Sequence, residues 1–345
     1  MSLTVIAVIC VFGLLVLVHE LGHFVTAKLT GMRVDEFAIG FGPKLISFQR
    51  GETVYSIRCI PLGGFNNIAG MDAENNTAGD RGYCEKSIPA RMLVILAGSG
   101  MNLILPVFLF FSIFFFSGVT TPSTEPILGT VLPGKPAAMA GLQEGDRILR
   151  IGDTAINDWT GFVDSVRFNE GKQLTIYYER DGAEKSTVVT PVYDAENKRV
   201  MVGVMGGVET SHPGFFESIG LAVQKTGTVI YAMLAELLRL VAQLSGENLA
   251  GPVGVVQMTG EVAKMGLVPL VNFTAFLSLN LGLINLFPIP ALDGGHFLML
   301  LVEAVRRKPL SPAFLHYTQT VGIALLLVLM VYATKNDIVR IFFGG

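Results

Sequence analysis

The sequence predicts a polytopic α-helical membrane protein of about four transmembrane helices, with a cytoplasmic-side membrane-associated β-hairpin and an inserted β-rich domain. Three observations carry this. The 345-residue chain is 51% hydrophobic and only 15% charged, with a mean hydropathy of +0.54, where soluble domains carry about 25% charged residues. Its apolar residues gather in runs at about 3–29, 92–118, 266–287 and 318–334, near the ~20 residues that a bilayer core demands. Between the second and third runs the composition turns polar and glycine-punctuated, with alternating β patterns. A net charge of -3 gives no argument for nucleic acid. Cys10, Cys59 and Cys84, an odd count at wide spacing, form neither a disulfide framework nor a zinc ribbon.

The first span, about 3–29, lacks the basic n-region and small-x-small site of a signal peptide, and removing it would discard its own chemistry. Its second half reads His19-Glu20-Leu21-Gly22-His23. Residues i and i+4 stack on one helix face, so both imidazoles can reach one Zn²⁺ while Glu20 activates water. The loop 30–90 follows, and Lys28, Arg33, Lys44, Arg50, Arg58, Arg81, Lys86 and Arg91, in it and at its two ends, mark a cytoplasmic side. Within it, 36–43 and 53–65 read as short β segments with glycine corners, either a hairpin dipping toward the first helix or an interfacial sheet without a catalytic part.

The second span, about 92–118, begins with Ala97-Gly98-Ser99-Gly100, small enough for helices to approach closely. Asn102, at membrane depth, needs a partner; helix-to-helix glue is the favoured reading over a direct role. Residues 120–212 form the inserted domain, with strands expected at 174–180 and 185–191 around Asp181-Gly182. Its Ala140-Gly141-Leu142-Gln143-Glu144-Gly145-Asp146-Arg147-Ile148 series resembles a PDZ domain of the protease-associated kind. That resemblance implies capture of extended peptides or C-termini by strand addition, or else a rigid plug that only excludes bulk. Residues 213–245 read as an interfacial amphipathic helix and 246–265 as a glycine-broken linker.

The third span, about 266–305, is interrupted by Asn285 and then Pro288-Ile289-Pro290-Ala291-Leu292-Asp293-Gly294-Gly295-His296. Two prolines unwind a helix, and unwound backbone is tolerated at membrane depth only where protein or water satisfies it. A two-histidine zinc site needs a third protein ligand and an open position; Asp293 supplies the ligand, with His296 the competitor. Arg306-Arg307-Lys308 again mark the cytoplasm, and a fourth span at about 318–334 leaves 335–345 outside. Both termini and the inserted domain are thus extracytoplasmic, with the metal motif toward the cytoplasmic half.

Taken together, the HExxH helix, the inserted PDZ-like segment and the Asn-x-x-Pro-x-Pro-x-Leu-Asp-Gly series resemble the site-2 protease family of intramembrane zinc metalloproteases, specifically the bacterial regulator of sigma-E protease group. The resemblance covers nearly the whole chain. It implies His19, His23 and Asp293 as zinc ligands, Glu20 as general base, and Asn285 as a substrate-holding residue. It further implies that the hairpin residues Gly40, Phe41, Gly42, Gly63, Gly64 and Phe65 pair with an unwound substrate. The implied substrates are single-pass membrane proteins already shortened by another protease, such as anti-sigma factors or signal-peptide remnants. Two departures stand out: room for one PDZ domain where many members carry two, and Ser99 where bacterial relatives usually have proline. The competing class is a catalytically silent scaffold or sensor that collects peptides, for which Glu20 would be dispensable.

Overall fold

Helix α1 (Ser2–Leu29) stays apolar for most of its length, so backbone chemistry rather than a change of pattern ends it. Gly31 takes φ +72°, and the amides of Gly31 and Met32 return to the carbonyls of Lys28 (3.1 Å) and Ala27 (2.8 Å). This Schellman closure buries Met32 and Ala27 completely and aims the chain into a hairpin. The computed structural model describes residues 2–71, 79–195, 198–243 and 251–343. The expected loop 30–90, PDZ segment 120–212, helix 213–245, linker 246–265 and tail 335–345 therefore lie partly outside the described residues. The chain divides into two units, Met1–Ser117 with Gly214–Gly345, and Gly118–Pro213.

Strands β1 (Val34–Arg50) and β2 (Thr53–Ile68) are longer than the segments read from the sequence, because the glycine corners bend the strands instead of ending them. At Gly40 φ is +88° and a Cβ would lie 2.6 Å from the Ile60 carbonyl oxygen, so the bend admits only glycine. Glu36–Ile39 is consequently flanked on one side by residues 64–67 and on the other by residues 54–57. The base of the hairpin is buried at Val34, Phe37 and Ala38, whereas Phe41 through Arg50 are exposed, with Leu45, Ile46 and Phe48 presenting apolar surface. Its turn is tied to the end of α1: Lys28 Nζ and Arg81 Nη2 both lie 2.7 Å from Glu52 Oε1. The Arg81 guanidinium, with the Lys28 ammonium, holds the Glu52 carboxyl down at about 2.

Helix α2 (Ile88–Ser117) lies against α1 at glycine-contact distance: a Cβ on Gly22 would come within 2.3 Å of the Ala97 carbonyl oxygen. Near its start, Arg91 Nη1 meets Glu303 Oε2 at 3.0 Å.

The second unit contains β3 (Val119–Pro122), β4 (Leu128–Val131), α3 (Pro136–Met139), β5 (Arg147–Ile151), β6 (Thr154–Ala155), α4 (Trp159–Arg167), β7 (Leu174–Arg180), β8 (Ala183–Val189), β9 (Val192–Asp194), β10 (Arg199–Met201), β11 (Val204–Gly206) and β12 (Val208–Ser211). A four-stranded sheet runs β6-β5-β7-β8, and β4–β11, β3–β12 and β9–β10 pair as separate two-stranded ladders. Asp181 (φ 58°) and Gly182 (φ 74°) make the expected two-residue turn. Leu128, Ile148, Phe162, Ile176, Val189 and Val202 form the core. The Gly-Asp-Arg series has a structural purpose here. Asp146 is fully buried, accepts the Gln143 amide (2.8 Å) and holds Arg180 through two bonds of 2.6 and 2.7 Å.

Helix α5 (Phe215–Gln243) packs its first turns on α2, with Phe215 edge-on to Phe111 and Ala222 in a cluster with Phe110, Ile113 and Ala275. The linker read at 246–265 is corrected by the structure: Pro252–Met265 is a helix, α6. Its glycines, read as chain breaks, are contact points. A Cβ on Gly260 would lie 2.4 Å from Thr4 Cγ2, and one on Gly254 would strike Arg340 and Asp337. Asp337, buried on a later helix, accepts the amides of Gly251 (3.0 Å) and Gly254 (2.7 Å) and so caps α6 from outside.

Helix α7 (Leu267–Asn285) packs along α2, residues 286–292 are non-helical, and α8 (Asp293–Arg306) resumes. Helix α9 (Pro312–Phe343) is longer at both ends than the span read at 318–334. By length and composition, four of the described helices can cross a bilayer: Leu3–Leu29, Ile88–Ser117, Leu267–Asn285 and Pro312–Phe342.

Candidate metal centre

The α7–α8 break is shaped by the glycines that follow it. A Cβ on Gly294 would lie 2.2 Å from the Leu286 carbonyl oxygen, and one on Gly295 would lie 2.2 Å from that of Ile289. The freed loop folds down on these bare positions, and Ala291 adopts φ 89° to allow it, a strained value for a residue with a side chain. Asp293 is thereby delivered as the first residue of α8. The buried Arg91–Glu303 pair anchors the far end, and Glu303 also accepts the Leu310 amide at 2.9 Å.

Opposite it, α1 presents His19 and His23. The two Nε2 atoms are 3.2 Å apart, and Asp293 Oδ2 lies 3.5 Å from His19 Nε2 and 3.6 Å from His23 Nε2. Among the described residues these three form the cluster able to hold a metal ion; His296, the competing ligand, is not in it. Tetrahedral zinc with bonds of about 2.0–2.1 Å separates its ligand atoms by roughly 3.3–3.4 Å, so the triangle fits zinc. The outer atoms fit as well. His23 Nδ1 donates to the Val94 carbonyl at 2.8 Å, which leaves Nε2 unprotonated for a metal. His19 Nδ1 lies 3.3 Å from the fully buried Asn102 carboxamide, whose Oδ1 otherwise has no partner. Turning that amide by 180° gives Oδ1 the Nδ1–H that a ligating His19 requires. Ser99 Oγ donates to Asp293 Oδ2 at 3.0 Å.

Glu20 points to the hairpin side of the same helix. Asn66 Nδ2 donates to Glu20 Oε2 at 2.7 Å and to the Glu20 backbone oxygen at 2.8 Å. A Cβ on Gly64 would sit 2.9 Å from Glu20 Cγ, so this hairpin glycine lies against the base. The other hairpin residues are placed differently. Gly40, Phe41, Gly42 and Gly63 form the bend, with a Gly63 Cβ position 2.1 Å from the Phe41 ring, and Phe65 lies under the Arg58 guanidinium at 4.8 Å. Asn285 ends α7, half-buried, just before the break.

A family model for peptidase family M50 matches residues 7–329. The chain belongs to peptidase family M50. Zinc metalloprotease RasP of Bacillus licheniformis is 35% identical over 419 aligned positions, covering 98% of this chain and 99% of that one. The regulator of sigma-W protease RasP of Bacillus subtilis is 34% identical with the same coverage. A solved PDZ domain of an SdrC-like protein from Listeria monocytogenes is 20% identical, covers 26% of this chain and 93% of its own, and has a TM-score of 0.22. This M50 peptidase is a zinc metalloendopeptidase of the site-2 type, a multi-pass membrane protein with a β-rich unit, Gly118–Pro213, inserted between its second and third candidate spans.

Sequence reasoning missed two side chains of the M50 site and undervalued a third. Asn102 serves as glue, since its backbone oxygen accepts Ser278 Oγ at 2.7 Å, but its side chain also meets His19. Asn102 is one turn on from Gly98 and so shares the α2 face that Gly98 turns to α1, a spacing signal available in the sequence, whereas Ser99, read as a small residue, reaches Asp293 on α8. Asn66 carried no such signal, because nothing local says which residue of a bent strand reaches the base.

Proposed function

We propose that His19, His23 and Asp293 hold the zinc and that Glu20 is the general base for hydrolysis of peptide bonds within transmembrane segments. The observation that carries this reading is the triangle of donor atoms, with edges of 3.2, 3.5 and 3.6 Å, contributed by α1 and by a helix break 270 residues later, with Glu20 on the adjoining face. Bound there, zinc would polarise the scissile carbonyl and make water acidic enough to attack near neutral pH. Glu20 takes the proton from the attacking water and hands it to the leaving amine nitrogen. The substrate helix must unwind first, because its own amides shield its carbonyls. The bent hairpin beside Glu20 offers backbone for that unwound segment to pair with, and Asn285 at the end of α7 is placed to hold it. Treating the purified protein with a chelator should abolish cleavage of a tagged single-pass helix, and stoichiometric zinc should restore it; cleavage that survives complete removal of metal would refute the reading.

The substrates fit single-pass proteins trimmed beforehand, such as anti-sigma factors or signal-peptide remnants, in line with the sigma-W role in the Bacillus subtilis relative's name. The PDZ domain has the means to screen them. A cavity of about 740 Å³ lies between α4 and the strand β11, floored by Phe162, Val166 and Val204 and rimmed by Arg167, Lys198 and Arg199. An apolar peptide ending in a carboxylate suits it. Arg167→Glu should weaken binding of such a peptide several-fold; unchanged binding would leave the domain as a plug.

The basic residues beside α1, at the hairpin and at 306–308 support a cytoplasmic position for the hairpin, with the PDZ domain and both termini outside. Protease added to spheroplasts should digest residues 118–213 and spare the hairpin; the reverse pattern inverts the orientation.

A further inference from the structure

Asn66 spends both hydrogens of its carboxamide on one residue. It reaches the Glu20 backbone oxygen at 2.8 Å and Glu20 Oε2 at 2.7 Å. A contact that only joined sheet to helix would need the backbone bond alone. Bonding main chain and carboxylate of the same residue closes a ring around the Glu20 side chain and fixes its rotamer. The opposite wall of that clamp is Gly64, two residues earlier and so on the same strand face, where a Cβ would be 2.9 Å from Glu20 Cγ and 3.0 Å from Val16 Cγ1. Asn66 Oδ1 is meanwhile buried without a hydrogen-bond partner. A structure that leaves an acceptor orphaned beside a reacting carboxylate is one in which the other half of the amide has a use.

The strand that carries Asn66 is itself held in register, with Phe37 beside Asn66 and Ile39 beside Gly64. A shift of this strand moves the amide and therefore the carboxylate.

We propose that Asn66 is a positioning residue for peptide-bond hydrolysis: it orients the Glu20 carboxylate and makes that orientation depend on the seating of the hairpin. The proposal rests on the reading of Glu20 as the general base. It predicts a defect in turnover rather than in substrate or zinc binding, because Asn66 touches neither the donor triangle nor the exposed part of the hairpin.

The test measures kcat, KM and zinc per chain for wild type, Asn66→Ala, Asn66→Asp and Glu20→Gln, with a single-pass transmembrane helix as substrate in detergent. Asn66→Asp keeps the volume but sets a carboxylate against that of Glu20, so it remains informative if the alanine variant folds poorly. The expected result is a fall in kcat of about 10- to 100-fold in both Asn66 variants, with KM within about twofold and zinc retained. Wild-type kcat in Asn66→Asp beside a dead Glu20→Gln overturns this proposal and leaves the base standing. A loss confined to KM or to zinc content assigns Asn66 to the hairpin or the metal site and overturns it as well. An active Glu20→Gln sinks the reading beneath it instead.

Discussion

Glu20→Gln is expected to lower kcat by about 10²- to 10⁴-fold while zinc stays bound and KM changes little. The geometry makes the substitution clean. Glutamine has the shape of glutamate, its Oε1 can still accept Asn66 Nδ2, which lies 2.7 Å from the native Oε2, and Gly64 accommodates the same Cγ. The donor triangle of His19, His23 and Asp293 does not include the changed group. What is lost is the capacity to take a proton from water and return it to the leaving nitrogen. Turnover within tenfold of wild type, with metal present, would place the base elsewhere and revive the scaffold reading. Measured zinc content on the same preparation separates loss of base from loss of site.

The second large effect is expected at a residue without a side chain, Gly98. A Cβ there would sit 2.3 Å from His23 Nε2, 2.6 Å from its Cε1 and 2.9 Å from His19 Cε1. No rotamer change relieves this, since a methyl group has none, and the helices cannot separate freely. Gly22 on α1 is already in contact with the Ala97 backbone, so the two helices interlock at glycines on both sides. Gly98→Ala should therefore push a ligand imidazole out of place and cut zinc affinity by at least about 10- to 100-fold, with activity falling in step. Gly100→Ala is the matched control, because nothing lies within 4 Å of the Cβ it would add. Zinc content and cleavage unchanged in Gly98→Ala would mean that the ring has room that the structure denies it.

Much of this arrangement was legible from residue types. His19 and His23 share a helix face by spacing alone, and the apolar run before them states their environment. The proline pair at 288 and 290 announces a break, and a carboxylate beside a break at membrane depth announces chemistry. The inserted domain was legible through its glycine-punctuated strands and the Asp181-Gly182 turn. Other features misled. Gly251, Gly254 and Gly260 read as a linker, yet they form the contact face of α6 against α1 and α9, because glycine marks close approach as readily as it marks a turn. The hairpin was underestimated for the converse reason: Gly40 bends a strand that continues beyond it.

The sequence by itself determined which groups are available: two imidazoles on one helical stripe with a carboxylate on the face beside it, a second carboxylate at a helix break, and apolar spans that force every polar side chain among them to find a partner. Only the tertiary structure decided which partners those are. Asn102 with His19, Ser99 with Asp293, Val94 with His23 and Asn66 with Glu20 each join positions far apart in the chain. Local periodicity fixes the direction of a side chain relative to its own helix or strand. The distance between two elements is set by the glycines where they touch, and the rotation of one against the other decides which atom meets which.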